Sequence, residues 1–164
     1  MVYFMDLTIK LDNAVFNYRI GLMIQRGDSI LVEVNPEIDF VVIPGGRVKV
    51  LENTLDALKR EIKEEMNINV LDFEIKMKAL IENFFEMNNK KYHELFILYK
   101  MNINEDDNIF TENMINHDSK ANYYKWVKIK DLEKVNLLPE SLRTLSSDDN
   151  FQNIINDDLN GAII

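Results

Sequence analysis

Short blocks of apolar residues separated by turn-forming residues run along most of this chain, and a helical period surfaces in one place. The β-rich runs "NYRIGLMIQ" at 17–25 and "ILVEV" at 30–34 flank the turn-like "RGDS", which predicts a hairpin. "FVVIP" at 40–44 reads as a further short strand leading into Gly45 and Gly46. Beyond the helical stretch, "EIKMKALIENFFEM" at 74–87 and "KYHELFILYKMNI" at 91–103 read as two long strands joined through Asn88 and Asn89. "YYKWVKI" at 123–129 is expected to form one more. Pro139 suits the first turn of a helix through "PESLRTL", and the residues after Ser146 read as weakly helical or loose. The acidic stretch 104–122 looks like one long loop. Loops of that length in compact domains are often functional, and a plain solvated excursion fits the composition equally well.

The helical period lies after Asn53, where Leu55, Leu58, Ile62 and Met66 form an apolar stripe. Asn53 is a good N-cap, and Asp56 adds negative charge to the first turn. At about 100° per residue, Glu61, Glu64 and Glu65 fall on a neighbouring stripe about 100° wide, with the small Ala57 one turn before Glu61. Glu61 and Glu65 are like charges at i,i+4, as are Lys59 and Lys63, and of the three glutamates only Glu64 meets an opposite charge one turn away, Arg60, in the weaker orientation. A surface helix gains nothing from this crowding. A hard divalent cation reverses the sign of the problem, because clustered carboxylates supply it with both oxygen ligands and charge.

Composition narrows the classes. A chain of 164 residues with 46% apolar content has enough material for one domain with a real core, with no internal repeat or linker to suggest a second. No apolar run approaches the roughly 20 residues of a membrane span, and the N-terminal "MVYFMDLTIK" carries Asp6 where a signal peptide would be basic and then apolar. A cytoplasmic protein without a membrane partner is expected. The absence of cysteine excludes thiolate metal sites and cysteine nucleophiles, so any metal sits on oxygen or histidine. A net charge of −9 disfavours polymeric DNA or RNA as main partner and leaves room for a small anionic ligand met through a cation.

Gly45 and Gly46 let the backbone approach a phosphate or metal without a Cβ in the way. From Gly46 the sequence runs through Glu52 to Arg60-Glu61-Ile62-Lys63-Glu64-Glu65-Met66-Asn67-Ile68, and this stretch, 46–68, resembles the Nudix box of the Nudix hydrolases, the MutT-like enzymes. The strand order and the "YYKWVKIKDL" run extend a looser resemblance over most of the chain. One position departs: Asn67 stands where the family has Gly, just past the last helical residue. Asn is the usual second choice there for a left-handed cap, so the substitution reads as structural.

The resemblance implies a single Nudix domain over 1–164, an α/β/α sandwich with a mixed central β-sheet. It implies a pyrophosphohydrolase using Mg²⁺ or Mn²⁺, in which water attacks a phosphorus of a nucleoside diphosphate linked to another moiety. Glu61, Glu64 and Glu65 would hold the metals with the Gly46 carbonyl, Arg60 and Glu52 would support them as a pair, and Gly45, Gly46 and Arg19 would meet the substrate. Arg26 is a second arginine on the first hairpin within reach of a phosphate. The general base stays open between Glu64 and a loop carboxylate, Glu105, Asp106, Asp107, Glu112 or Asp118, with Asp118 first by its place before the Trp126 strand. His93 is expected to pack or hydrogen-bond, and most of Phe84, Phe85, Tyr92, Tyr123, Tyr124 and Trp126 to sit in the core or in cross-strand pairs. Nucleoside triphosphates and ADP-ribose-like nucleotides rank as substrates ahead of dinucleoside polyphosphates. A capped or triphosphorylated RNA 5′ end and a non-catalytic nucleotide sensor remain as alternatives, and a homodimer is a possible assembly.

Overall fold

The computed structural model describes residues 5–145 and 150–159. Among them run β1 (Thr8–Lys10), β2 (Ala14–Arg26), β3 (Ser29–Val34), β4 (Val41–Val42), β5 (Gly45–Arg47), α1 (Thr54–Met66), β6 (Ile75–Met87), β7 (Lys90–Ile103), β8 (Tyr123–Lys128) and β9 (Gln152–Asp157). Short 3-10 turns occupy Ile129–Lys134 and Glu140–Thr144. The strands form one mixed sheet in the order β4-β3-β2-β7-β6-β9, with β1 and β5 also on β2 and β8 on β3.

The centre is the parallel pair of β2 and β7, in register from Ala14↔Lys91 to Arg26↔Ile103. The outer edge of β2 is shared: β1 takes its start, β5 its middle through Arg19↔Arg47 to Gly21↔Gly45, and β3 its end through the expected hairpin at Gln25↔Ile30. The predicted β6-β7 hairpin also forms, with Asn88 and Asn89 both at positive φ (54° and 60°) as a tight turn requires.

Alternation along the strands sends side chains to two faces. Ile20, Leu22, Ile24, Leu31, Tyr99 and Met101 pack under α1, whose Ala57, Leu58, Ile62 and Met66 lie in the same cluster. Met23, Ile30, Val32, Phe96 and Leu98 face the other way, where Leu132 and Leu142 of the 3-10 turns cover them. The layered α/β architecture with a mixed sheet is thus present, its far layer built from short turns.

Several expectations change. The residues 150–159 of the segment read as weakly helical or loose contain β9, which pairs parallel to β6 from Ala79↔Gln152 to Phe84↔Asp157; the rest of that segment lies outside the described residues. Only Ile154 of β9 packs towards the core while Ile155 is exposed, so the strand rests on backbone pairing and carries little apolar period. "PESLRTL" forms a five-residue 3-10 turn with Pro139 as its N-cap. "FVVIP" contributes two strand residues, and Ala57, placed by the helical spacing one turn before Glu61, is fully buried in the core.

Candidate functional site

The start and end of α1 follow its sequence. Asn53 Oδ1 accepts from the Asp56 amide at 3.0 Å, and Asn67 adopts φ 57°, ψ 25° at the C-cap, with its amide donating to the Lys63 carbonyl. This left-handed geometry is the one expected for Asn standing in the place of Gly.

Packing of the apolar stripe fixes where the glutamates go. Arg60 lies at the centre of the first group: Nε and Nη2 donate to Glu52 Oε1 and Oε2 at 2.7 and 2.9 Å, and Nη1 donates to Glu61 Oε1 at 2.7 Å and Glu64 Oε2 at 3.0 Å. Nη2 also reaches the Arg47 carbonyl at 3.0 Å, tying β5 to the helix. One planar cation therefore serves three carboxylates, the bidentate pair with Glu52 being the most directional. Glu52 is held below the usual carboxylate range, first by Arg60, and Arg60 is held above its ordinary value, first by Glu52.

The two glycines meet different needs. A Cβ on Gly46 would fall 2.5 Å from both carboxylate oxygens of Glu61, so only Gly lets that side chain lie over the strand. Gly45 has φ 155°, and a Cβ there would come within 2.7 Å of Gly21 Cα on the paired strand.

Glu65 occupies a different setting, only 9% exposed. Tyr124 donates its hydroxyl to Glu65 Oε2 at 3.3 Å, and Asn116 Nδ2 donates to the Tyr124 oxygen and to Glu33 Oε1, both at 2.9 Å. Asn122 Nδ2 also donates to Glu33 Oε1, and the His117 amide donates to the Glu65 carbonyl at 2.7 Å, fastening the 104–122 loop to the end of α1. Burial first, then the negative charges of Glu33 and Glu61, push the Glu65 carboxyl up to about 8, against the opposing pull of the Tyr124 hydroxyl; Asp118 also adds to the rise. Tyr124 is itself pushed up by burial and by Glu65, and remains a neutral donor.

The structure therefore brings Glu52, Arg60, Glu61, Glu64, Glu65, Gly46 and Asp118 into one region. Other expected residues lie elsewhere. Arg19 shares the phase of Met23, on the sheet face opposite α1, and pairs with Glu94 at 3.6 Å. The Arg26 guanidinium lies 3.9 Å from the Trp126 ring centroid and donates to the Asp107 carbonyl, a packing role. His93 packs between Phe84 and Phe16 at 4.4 and 5.4 Å, and Phe85 stacks on Tyr92, as expected of cross-strand aromatics. Glu105 lies beside Gly27 at the far hairpin. The reading from sequence missed Glu33, Asn116 and Asn122. A signal existed for Glu33, which shares the inward phase of Leu31 in "ILVEV"; nothing in the sequence marks the two asparagines.

A family model for the NUDIX domain matches residues 16–147. The chain belongs to the NUDIX family. It is 27% identical over 123 residues, covering 73% of this chain and 82% of the relative, to an 8-oxo-dGTP diphosphatase of Buchnera aphidicola subsp. Schizaphis graminum. Its fold matches a MutT protein from Bacillus halodurans with TM-score 0.60 at 16% identity, over 87% of this chain and 91% of that one. It also matches the C. elegans Ap4A hydrolase with TM-score 0.57 at 23% identity, over 79% and 92%. As a NUDIX hydrolase the protein acts on phosphorus-containing anhydrides, and β9 lies beyond the matched residues. No helix among the described residues is long and apolar enough to cross a membrane.

The family is generally dependent on a divalent metal. The donor set here suits one in kind: three glutamates, a glycine backbone and no sulfur. Among the described residues no three His, Cys, Asp or Glu groups converge closely enough to hold an ion. Arg60 Nη1 takes one oxygen each from Glu61 and Glu64. Glu61 Oε2 and Glu64 Oε1 stay outside that grip.

Proposed function

We propose that this NUDIX hydrolase cleaves nucleoside triphosphates to the monophosphate and pyrophosphate, with Mg²⁺ or Mn²⁺. The observation that carries this reading is a pair of buried carboxylates, Glu65 and Glu33, with which no Lys or Arg pairs among the described residues, while the half-buried Glu61 and the exposed Asp118 add further negative charge at Glu65. Buried carboxylates without a counter-charge cost the fold stability, and they are retained where a cation or a proton is handled. The diphosphatase relative favours the triphosphate over the ADP-ribose-like alternative.

Glu61, Glu64 and Glu65, with the Gly46 carbonyl, would hold the metal. A divalent ion held there would supply charge neutralisation for the phosphates and make the attacking water more acidic. Arg60 and Glu52 keep Glu61 and Glu64 in place. Asp118 takes the proton of the attacking water in preference to Glu64, because Glu64 Oε2 is gripped by Arg60 while the loop holds Asp118 near Glu65. Water oxygen forms the new bond to phosphorus as the bridging anhydride oxygen leaves, and the products carry the two phosphate groups apart.

The test is purified protein incubated with dGTP, 8-oxo-dGTP, ADP-ribose and Ap4A, each with Mg²⁺ and with Mn²⁺. Release of monophosphate and pyrophosphate from a triphosphate is expected to be fastest. No turnover of any of the four with either metal would end the enzymatic reading of the site, and ADP-ribose as the best substrate would replace the triphosphate.

A further inference from the structure

We propose that Tyr124 and Asn116 are positioning residues: together they fix the orientation of the Glu65 carboxylate and hold the Asp118 loop against it. The inference rests on the reading of Glu65 as part of the active site.

The hydrogen-bond polarity of this chain of side chains is determined from one end. Asn116 Oδ1 accepts from two backbone amides of its own loop, Asp118 at 2.8 Å and Ser119 at 3.0 Å, so the other terminal atom of the amide is the NH₂ group. That group has two protons, and both are used: one goes to Glu33 Oε1 and the other to the Tyr124 oxygen. Tyr124 is therefore an acceptor from Asn116, and its single proton is free to go to Glu65 Oε2. Asn116, Tyr124, Glu33 and Glu65 are all buried, so water does not compete for these contacts.

This arrangement has two consequences for the site. A carboxylate on a helix end has rotational freedom, and a donor on one oxygen removes it, presenting the other oxygen in a fixed direction. The same asparagine carries the amide of Asp118, so the loop carboxylate and the helix carboxylate are referenced to one side chain. The backbone supports the arrangement, with the Asn116 amide on the Asn122 carbonyl at 2.9 Å and the Tyr124 amide on the Met114 carbonyl at 2.9 Å. Glu33 anchors the far end, taking donors from both Asn116 and Asn122.

The test uses Tyr124→Phe, which deletes one oxygen and keeps the ring, with Asn116→Ala as a second variant that breaks the chain from the loop side. Three quantities are measured: Mn²⁺ affinity of the nucleotide-free protein by electron paramagnetic resonance, kcat and KM for 8-oxo-dGTP, and the same rates in a Glu65→Gln background. Tyr124→Phe is expected to lower kcat about tenfold with KM within threefold, and to weaken Mn²⁺ binding several-fold. In the Glu65→Gln background the added Tyr124→Phe should cost less than twofold, because its effect runs through that carboxylate. Asn116→Ala should lower kcat in the same direction. Wild-type kcat and Mn²⁺ affinity in Tyr124→Phe, beside an impaired Glu65→Gln, would overturn the positioning role alone. An equal loss in both backgrounds would also overturn it, placing the effect elsewhere. A fully active Glu65→Gln would overturn the proposed function itself.

Discussion

Glu61 and Glu65 sit one helical turn apart on α1, yet only Glu61 has a cation beside it. Glu61 shares the Arg60 guanidinium with Glu52 and Glu64, in a group where four side chains carry three negative charges and one positive. Glu65 meets a tyrosine hydroxyl and faces Glu33, Glu61 and Asp118. The difference separates two tasks that the sequence presents as one crowded stripe. The arginine group is partly compensated and knits β5, the loop before α1 and the helix into a fixed frame. The Glu65 pocket is uncompensated, and the cost of keeping it is explained by the cation and proton it is proposed to handle.

Removal of the metal should have the largest effect. If the uncompensated pocket works through a divalent ion, chelation with EDTA should reduce hydrolysis by about three orders of magnitude or more, with recovery on adding Mg²⁺ or Mn²⁺. Turnover that survives exhaustive chelation would mean that the acidic pocket has another purpose.

Arg60→Ala attacks the other half. Glu52 and Glu61 are 16% and 13% exposed, so loss of the shared cation leaves two largely buried charges unpaired. Urea unfolding should show a loss of about 2 kcal/mol, and hydrolysis should fall as well because the frame loosens. Unchanged stability would show that the guanidinium is not what holds these carboxylates together.

The smallest effect is expected at Asn67→Gly. Both residues tolerate the left-handed cap, and the main loss is the Lys63 Nζ contact to Asn67 Oδ1 at 2.8 Å, an exposed pair. Stability should stay within about 0.5 kcal/mol and turnover within a few-fold. A large loss of turnover in a folded variant would place Asn67 in the site.

Local patterns made part of this legible in advance. Asn53, the Leu58, Ile62 and Met66 stripe, and the Asn88-Asn89 turn are short-range signals, and each led to the correct element. The Nudix box placed the Arg60 group because its members lie close in sequence along one loop and one helix. The Glu65 pocket depends on contacts that span the chain, 83 residues between Glu33 and Asn116 and 59 between Glu65 and Tyr124, and no local period encodes them. Arg19 failed to join the glutamates for a simple geometric reason: strand alternation places it beside Met23, on the face away from α1. β9 escaped notice because a strand at the sheet edge with one inward apolar residue has almost no hydrophobic pattern.

Unfolding of the wild type and Glu65→Gln, each at pH 5 and pH 8, without and with Mg²⁺, alongside their hydrolysis rates, tests the role of the buried carboxylate most directly. The Glu65 carboxyl is raised to about 8 in the folded protein from an ordinary value near 4.5, so between these values the folded state holds a proton that the unfolded chain has released. Metal-free stability from this group therefore falls as pH rises through that window. The variant removes the penalty: it should gain on the wild type from pH 5 to pH 8, by on the order of a few kcal/mol, a larger relief than repulsion on an exposed helix would give. Mg²⁺ should stabilise the wild type at pH 8 and stabilise Glu65→Gln much less, while turnover of the variant falls by roughly two orders of magnitude or more. A Glu65→Gln protein that is less stable without metal at pH 8, or that hydrolyses its substrate at the wild-type rate, would show that the buried carboxylate serves the fold and contradict the account.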